Sequence, residues 1–212
     1  MHPETLAKFT QNALAELVGK DKARGILQEF YLAGGTAAAL QLGHRISVDL
    51  DFFTTHEFDP QVLLQELNAS GIKTDKVKID KGTLKCVVAQ TEVSFFFYPY
   101  QLIVNPEEYK GIKIASLIDI GCMKLTAIAS RGSKKDFYDL YYILREKLDL
   151  EALFAQFEQK FAETNYDSYH FLKSLVYFVD ADKDPKPKLL KDVTWEEVKT
   201  YIKQEAKEIV LT

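Results

Sequence analysis

The stretch LAGGTAAALQLGHRISVDLDFF, residues 32–53, contains the two features from which we predict the fold. One is a Gly-Gly-Thr turn at residues 34–36. The other is a pair of aspartates, Asp49 and Asp51. If residues 48–53 form a strand, both carboxylates point to one face, and Val48, Leu50 and Phe52 point to the other. Two carboxylates held this close repel each other unless a cation lies between them. Oxygen ligands in small number suit Mg²⁺, which keeps waters and substrate phosphates in its other positions.

The Gly-Gly-Thr turn is predicted to hold a phosphate. Residues 28–33 are predicted to form a strand and residues 36–42 a short helix, so Gly34 and Gly35 lie at the turn between them. A missing Cβ lets the backbone approach a ligand, and the free N–H groups at a helix start attract phosphate. Thr36 either caps the helix or binds a phosphate oxygen. Together with the carboxylate pair, the turn predicts a nucleoside triphosphate with Mg²⁺ as the ligand.

The ordered string GGTAAALQLGHRISVDLDFF resembles the first motif of the DNA polymerase β-type nucleotidyltransferases. Within that superfamily it is similar to the abortive-infection toxins of the AbiEii type, and the motif content extends over about residues 30–145. The resemblance implies an α+β fold. A polymerase β-like nucleotidyltransferase domain, a mixed twisted sheet with flanking helices at residues 1–115, would be followed by an α-helical bundle domain at 116–212. The active site would lie in the cleft between them.

A second group of charged residues lies on two predicted helices, in the string K-x6-R-x3-KD-x2-D-L. The AbiEii-type family has a lysine followed by an (R/K)D-x-x-D-L string, so the resemblance implies that Lys124 and Asp136 are active-site residues. Lys124 would offset the charge of the triphosphate, and Asp136 would orient Lys124 or position the attacking hydroxyl. Asp139 either acts with them or only braces the helix pair. From spacing alone, the competing interpretation is an interhelical salt-bridge network among Arg131, Lys135, Asp136 and Asp139 that has no catalytic part.

The third carboxylate that such enzymes usually take from a later strand is missing. The matching stretch is TEVSFFFYPY, residues 91–100, and the expected position carries Ser94. Glu92, two residues earlier on the same strand face, either replaces the carboxylate or is a solvated strand-end residue. Ser94 would otherwise act through a metal-bound water. The aromatic run at residues 95–98 is predicted to be sheet core rather than a base-stacking platform.

Two further polar residues lie between the turn and the aspartates. Arg45 either reaches the triphosphate or pairs with Asp49, Asp51 or a helix end, and His44 would orient a carboxylate.

The predicted catalytic residues are Asp49, Asp51, Lys124 and Asp136. The predicted nucleotide-binding residues are Gly34, Gly35, Thr36, Arg45 and Lys124, and the predicted metal ligands are Asp49 and Asp51.

Hydrophobic periodicity and capping residues predict the remaining elements. We expect helices at residues 3–18, 59–70, 116–132, 150–162, 168–179 and 194–210, another opened by Ser133, strands at 73–79, 83–89 and 92–98, and connecting segments at 99–115 and 180–192. The last segment carries four lysines, which either form a solvated loop or help an RNA acceptor to dock.

Composition sets limits on the function. The 212 residues carry 27 basic and 31 acidic side chains, so no overall positive field attracts nucleic acid, although a local patch would suffice. Cys86 and Cys122 form no CxxC pattern, and we expect buried thiols in a reducing cytoplasm. No apolar run reaches about 18 residues, and the start of the chain is not typical of a signal peptide. A cytoplasmic protein without membrane contact is therefore expected.

The predicted reaction transfers a nucleoside monophosphate from an NTP to an acceptor hydroxyl with release of pyrophosphate. Mg²⁺, or Mn²⁺ in its place, is the expected cofactor. The resemblance implies an RNA acceptor such as a tRNA end, and a cognate antitoxin as partner. A protein or small-molecule hydroxyl also fits this chemistry. The alternative is a non-catalytic module of the same fold that binds a nucleotide or a partner, and Ser94 favours that alternative.

Overall fold

The computed structural model describes residues 1–164 and 166–209. Its strands are β1 (Tyr31–Ala33), β2 (Leu50–Thr54), β3 (Asp75–Asp80), β4 (Thr83–Val88), β5 (Thr91–Phe97), β6 (Glu107–Tyr109) and β7 (Ile112–Ile114). They form one mixed sheet in the order β3-β4-β5-β2-β1-β7-β6. Its α-helices are α1 (Lys8–Gly19), α2 (Asp21–Leu27), α3 (Gly34–Leu42), α4 (Pro60–Ala69), α5 (Leu117–Ser130), α6 (Lys134–Glu146), α7 (Leu150–Lys160), α8 (Ser168–Leu175), α9 (Val179–Lys183) and α10 (Trp195–Glu208).

The centre of the sheet is β2, which pairs antiparallel with β1 and parallel with β5. Leu50 and Phe52 are fully buried on one face, because alternate residues of a strand point to opposite sides. Asp51 therefore lies on the other face, as predicted. The strand begins two residues later than the predicted start at Val48. Val48 is exposed, so its predicted place on the buried face was wrong.

Several predicted elements are confirmed at their capping residues. Asp59 accepts hydrogen bonds from the first turn of α4, where Pro60 occupies the first position. Ser116 caps α5 through the backbone N–H of Asp119. A complete capping box formed by Thr194 and Glu197 begins α10. The predicted end of this last helix, at Val210, lies outside the described residues.

The structure differs from the prediction in several segments. Helix α2 was not predicted, and β1 begins at Tyr31 instead of at residue 28. The predicted N-terminal helix is divided into a 3-10 helix, Pro3–Thr5, and α1, because Leu6 is extended and bridges to Ser47. The predicted connecting segment 99–115 contains the β6–β7 hairpin, and β7 adds to the sheet beside β1. The predicted helix 168–179 ends at Leu175, and α9 occupies part of the segment predicted as a loop.

The helical part of the chain packs on the sheet part. Helix α3 contacts both α5 and α6, and α5 packs against α6, α7 and α8. The α+β class, a mixed sheet with flanking helices followed by a helical bundle, is confirmed. The predicted boundary at residues 115/116 falls between β7 and α5 and stays a prediction. None of the helices in the described ranges has the length and apolar character needed to cross a membrane.

Candidate active site

A cleft of about 710 Å³ lies where the sheet meets α5 and α6. Its walls come from the α3 turn, from one face of β2 and β5, and from the two helices. The residues that line it include Gly34, Gly35, Thr36, Arg45, Asp49, Asp51, Phe53, Lys85, Glu92, Phe96, Tyr98, Met123, Lys124, Ala127, Arg131, Lys135, Pro187 and Lys188. The cleft thus contains all the predicted site residues except Asp136, which lies beneath its wall and contacts Lys124.

The two aspartates are half-buried at the floor of this cleft. Burial raises the pKa of Asp49, and Lys135 opposes the rise. Burial also raises the pKa of Asp51, and the nearby charge of Asp49 raises it further, while the Ser94 hydroxyl and Lys124 oppose the rise. The carboxylates therefore repel each other and favour a cation between them.

Ser94 lies directly beside Asp51 in the register of β2 and β5, which agrees with the position of the third carboxylate that the resemblance implied. Glu92 is exposed on the cleft rim and forms a long ion pair with Lys85, with 4.0 Å between Nζ and Oε1. Within residues 1–164 and 166–209, no three His, Cys, Asp or Glu side chains are grouped closely enough to hold a metal ion by themselves. The pair fits a hard cation such as Mg²⁺ that takes its other ligands from water and phosphate.

The two glycines are the first two residues of α3, directly after β1, so the helix begins two residues earlier than predicted. Each of them allows a close approach. Gly34 has a φ of +68°, and a Cβ at this position would lie 3.2 Å from Asp51 Oδ2. A Cβ on Gly35 would lie 2.3 Å from Arg45 Nη2. Any side chain at these positions would displace the acid or the guanidinium from the cleft.

Thr36 is buried and supports the site from behind. Its hydroxyl donates to Asp49 O and lies 2.8 Å from Ser47 Oγ. The N-cap of α3 is Ala33, with no side-chain cap, so the predicted capping role of Thr36 was wrong. Its hydroxyl ties the first turn of α3 to the backbone that carries the aspartates.

Asp139 is the centre of a fully buried ionic network. Arg45 Nε lies 2.6 Å from Asp139 Oδ1 and Arg45 Nη2 lies 2.8 Å from Oδ2. His44 Nε2 donates to Oδ1 at 2.8 Å, and Lys124 Nζ lies 2.5 Å from Oδ2. Arg45 thus pairs with neither Asp49 nor Asp51, so that alternative was wrong. His44 does contact a carboxylate, which is that of Asp139.

Asp136 joins the same network from α6. It contacts Lys124 Nζ at 2.7 Å, Arg131 Nε at 2.8 Å and Ser133 Oγ at 2.7 Å. Lys124 is therefore held between two carboxylates. Of the ionic network predicted as the competing interpretation, only the pair between Arg131 and Asp136 forms. Lys135 is exposed instead, and the observed network contains the proposed active-site pair Lys124 and Asp136.

The charges of the network shift its pKa values strongly. Although burial opposes them, Arg45 and Lys124 hold the pKa of Asp139 well below its usual range. Lys124 and Arg131 likewise lower the pKa of Asp136 against the effect of burial. Burial lowers the pKa of His44, despite its bond to Asp139. The two carboxylates of the network thus stay ionised, whereas those of the aspartate pair are biased toward protonation.

Two cations in the cleft wall were not assigned to the site from the sequence. Lys135 is exposed and, among the basic residues near Asp49, lowers the pKa of that residue most. Lys188 also lines the cleft, although the sequence indicated only a lysine-containing loop. It belongs to a strap, residues 187–191, in which the carbonyl of Lys188 accepts from Ile46 N and Leu190 N donates to His44 O. No local sequence signal connects that strap to residue 45.

The aromatic run of β5 divides between the two faces of the sheet. Phe95 is fully buried in the core, as predicted. Phe96 is half-buried and lines the cleft, so its assignment to the core was wrong. Tyr98 also lines the cleft, although it packs against the core and its hydroxyl is buried. Strand alternation is the reason for the position of Phe96, because the core lies on only one face of this part of the sheet.

The sheet, the glycine turn at a helix start and the aspartate pair define a protein with the nucleotidyltransferase fold. A family model described as the nucleotidyl transferase AbiEii toxin, type IV toxin–antitoxin system, matches residues 22–72 and 67–208. The chain is also 40% identical to an uncharacterized protein of Aquifex aeolicus, aq_aa25, over 96% of this chain and 97% of that one. The chain therefore belongs to the AbiEii family of nucleotidyltransferase toxins.

Solved structures show the same fold. JHP933 of Helicobacter pylori aligns with a TM-score of 0.55 and 19% identity, over 95% of this chain and 92% of its own. The nucleotidyltransferase toxin MenT4 of Mycobacterium tuberculosis aligns with a TM-score of 0.57 and 15% identity, over 95% of this chain and 85% of the MenT4 chain. At these identities the likeness concerns the fold alone.

Proposed function

We propose that the protein transfers a nucleoside monophosphate from an NTP to an acceptor hydroxyl and releases pyrophosphate. The observation that carries the proposal is the position of Asp49 and Asp51 opposite the Gly34–Gly35 turn, in a single cleft. The helix N-terminus attracts phosphate oxygens, and the carboxylates lie beside it. Membership of a nucleotidyltransferase family supports the same reaction.

Asp49 and Asp51 would hold Mg²⁺, or Mn²⁺ in its place, which when bound neutralises phosphate charge and orients the reacting groups. Lys135 and Lys188 are exposed lysines that line the cleft, and they are suited to bind the phosphates that leave. Lys124 is held by two carboxylates, so its role is to set the position of Asp136 and Asp139 as well as to add positive potential.

The proton of the acceptor hydroxyl needs a base near the aspartate pair. The lowered pKa of Asp136 makes it a weak base, so we assign it to positioning. Asp51 and Glu92 both line the cleft and are the two remaining candidates for this base.

We assign the protein to a toxin–antitoxin pair with a cognate antitoxin, in accord with the family description. The acceptor that we favour is an RNA end, such as that of a tRNA. A protein or small-molecule hydroxyl is the second acceptor class, because the chemistry at the donor side is the same.

The test is an incorporation assay. Protein, Mg²⁺ and each α-³²P-labelled NTP are incubated with total RNA, for the wild type, Asp49→Ala and the control Asp21→Ala, which removes an exposed acid outside the cleft. Label in tRNA-sized RNA with the wild type and Asp21→Ala, but not with Asp49→Ala, supports the proposal. Label in polypeptide moves the acceptor to a protein.

Ser94 beside Asp51 favours one other function, a non-catalytic module that binds a nucleotide or a partner. In that case Mg²⁺-dependent NTP binding would occur without incorporation into any acceptor. Equilibrium binding of labelled NTP, measured beside the incorporation assay, separates this function from the enzyme.

A further inference from the structure

The sheet face that forms the floor of the cleft is polar around Asp51 and Ser94 and aromatic two residues further along the strands. Residues two apart share a face, so Phe53 lies on the same side of β2 as Asp51, and Phe96 on the same side of β5 as Ser94. In the register of the two strands, Asp51 lies beside Ser94 and Phe53 lies beside Phe96. The acidic end of the cleft therefore continues directly into an aromatic wall.

This aromatic wall consists of Phe53, Phe96 and Tyr98, which are all half-buried. The rings of Phe53 and Phe96 stack with centroids 5.1 Å apart and an angle of 28° between their planes. Tyr98 meets Phe53 edge-on at 5.7 Å and 76°. Apolar rings that stay partly open to a cleft are typical of a surface that a ligand covers.

The surroundings of the wall favour a flat ligand with polar edges. Met123 and Ala127 of α5 line the same cleft and add an apolar side. At the rim, Lys85 Nζ lies 5.4 Å from the centroid of the Phe96 ring, in a cation–π contact. A nucleobase has a π face for stacking and hydrogen-bonding edges, and it stacks on aromatic side chains.

We propose that the aromatic wall is a nucleobase subsite, so that the ring of a purine or pyrimidine lies against Phe53 and Phe96. The inference rests on the proposed function, since it needs a nucleotide in the cleft. Phe53 lies two residues along the strand from Asp51, a distance of about 7 Å, across which a ribose would connect a phosphate to its base. The base belongs either to the incoming NTP or to the terminal nucleotide of the acceptor.

The test compares Phe96→Leu, which removes the ring, with Phe96→Tyr, which keeps it. Phe97→Leu is the matched control, because Phe97 is a half-buried neighbour on the same strand that does not line the cleft. The Kd of each protein is measured for the four Mg·NTPs and for inorganic tripolyphosphate with Mg²⁺, beside the KM of the RNA acceptor. Thermal unfolding shows whether each variant is folded. If Phe96→Leu does not fold, Phe53→Leu takes its place.

We expect Phe96→Leu to raise the Kd for at least one NTP about tenfold, with an unchanged Kd for tripolyphosphate and normal binding by Phe96→Tyr and Phe97→Leu. An unchanged NTP Kd with a raised acceptor KM also supports the subsite and assigns it to the acceptor base. The inference is overturned if neither constant changes, or if tripolyphosphate affinity falls equally. A wild type that binds neither NTP nor tripolyphosphate would instead refute the proposed function, and the subsite with it.

Discussion

Arg45 and Asp139 are 94 residues apart in the sequence, yet they form a two-bond ion pair in which both side chains are almost fully buried. Lys124 and His44 bond to the same carboxylate. Because Arg45 lies directly behind Gly35, this pair fixes the wall of the proposed phosphate site to α6. The stability of the fold and the geometry of the cleft thus depend on one buried acid.

Asp139→Asn should destabilise the protein by about 3–5 kcal/mol, because it leaves the buried charges of Arg45 and Lys124 only partly compensated. Urea unfolding measures the change. Asp21→Asn, which breaks an exposed pair with Arg24, is the control and should leave the unfolding midpoint nearly unchanged.

The Asp139→Asn variant should also differ from the wild type in how its stability changes at low pH. A carboxyl with a lowered folded pKa contributes stability above its unfolded pKa and loses it as the pH falls through the folded value. Asp139 has a pKa well below its usual range, so the wild type should lose this contribution on acidification and Asp139→Asn should not. Equal slopes of stability against pH below about pH 4 would contradict the assignment.

Gly35→Ala should abolish activity and lower stability, because its Cβ would lie 2.3 Å from Arg45 Nη2 and force the guanidinium away from Asp139. Gly25→Ala in α2 is the matched control, since a methyl group on Gly25 would point into open space. That change should raise stability by up to about 1 kcal/mol. A fully active Gly35→Ala protein would show that the wall tolerates a displaced Arg45.

Asp49→Asn should stabilise the metal-free protein at neutral pH while it abolishes activity. Burial raises the pKa of Asp49, and its charge helps to raise that of Asp51. A carboxyl whose pKa is raised by folding contributes stability at low pH, where it is protonated, and loses this contribution as the pH rises through the raised pKa. At neutral pH the two carboxylates are charged and repel each other, so removal of one charge should stabilise the fold.

Mg²⁺ provides the second measurement on this variant. At a concentration of about 100 times its Kd, Mg²⁺ should stabilise the wild type by about 2.7 kcal/mol. It should change the melting temperature of Asp49→Asn much less. An equal Mg²⁺ response in both proteins would place the cation elsewhere.

Lys124→Met should lower the stability of the protein, whereas Lys135→Met should weaken NTP binding. Lys124 is buried between Asp136 and Asp139, so its loss should cost about 3–5 kcal/mol of stability. Lys135 is exposed in the cleft, so its loss should raise the KM for the NTP about tenfold with an unchanged melting temperature. A Lys135→Met protein with normal NTP kinetics would remove this residue from the phosphate site.

The parts of the site that follow strand and helix periodicity were predictable. Alternation along β2 is enough to place Asp51 on the face opposite Leu50 and Phe52, and the start of α3 is evident from Gly34 and Gly35. Ser94 was located by the resemblance to the nucleotidyltransferases, not by periodicity. Periodicity carries no information about partners distant in sequence, so the bond between Arg45 and Asp139 was not predicted. The β6–β7 hairpin was missed for another reason, since strands of three residues are too short to show alternation.

The strap at residues 187–191 has a consequence for a toxin during its synthesis. Leu190 donates to His44 O, and Ile46 donates to Lys188 O, so the segment that carries Arg45 is completed only by residues far along the chain. Ribosomes add about 5–20 residues per second, and both aspartates leave the ribosome long before this strap. The nascent chain therefore lacks a finished site until residues 187–191 have been translated.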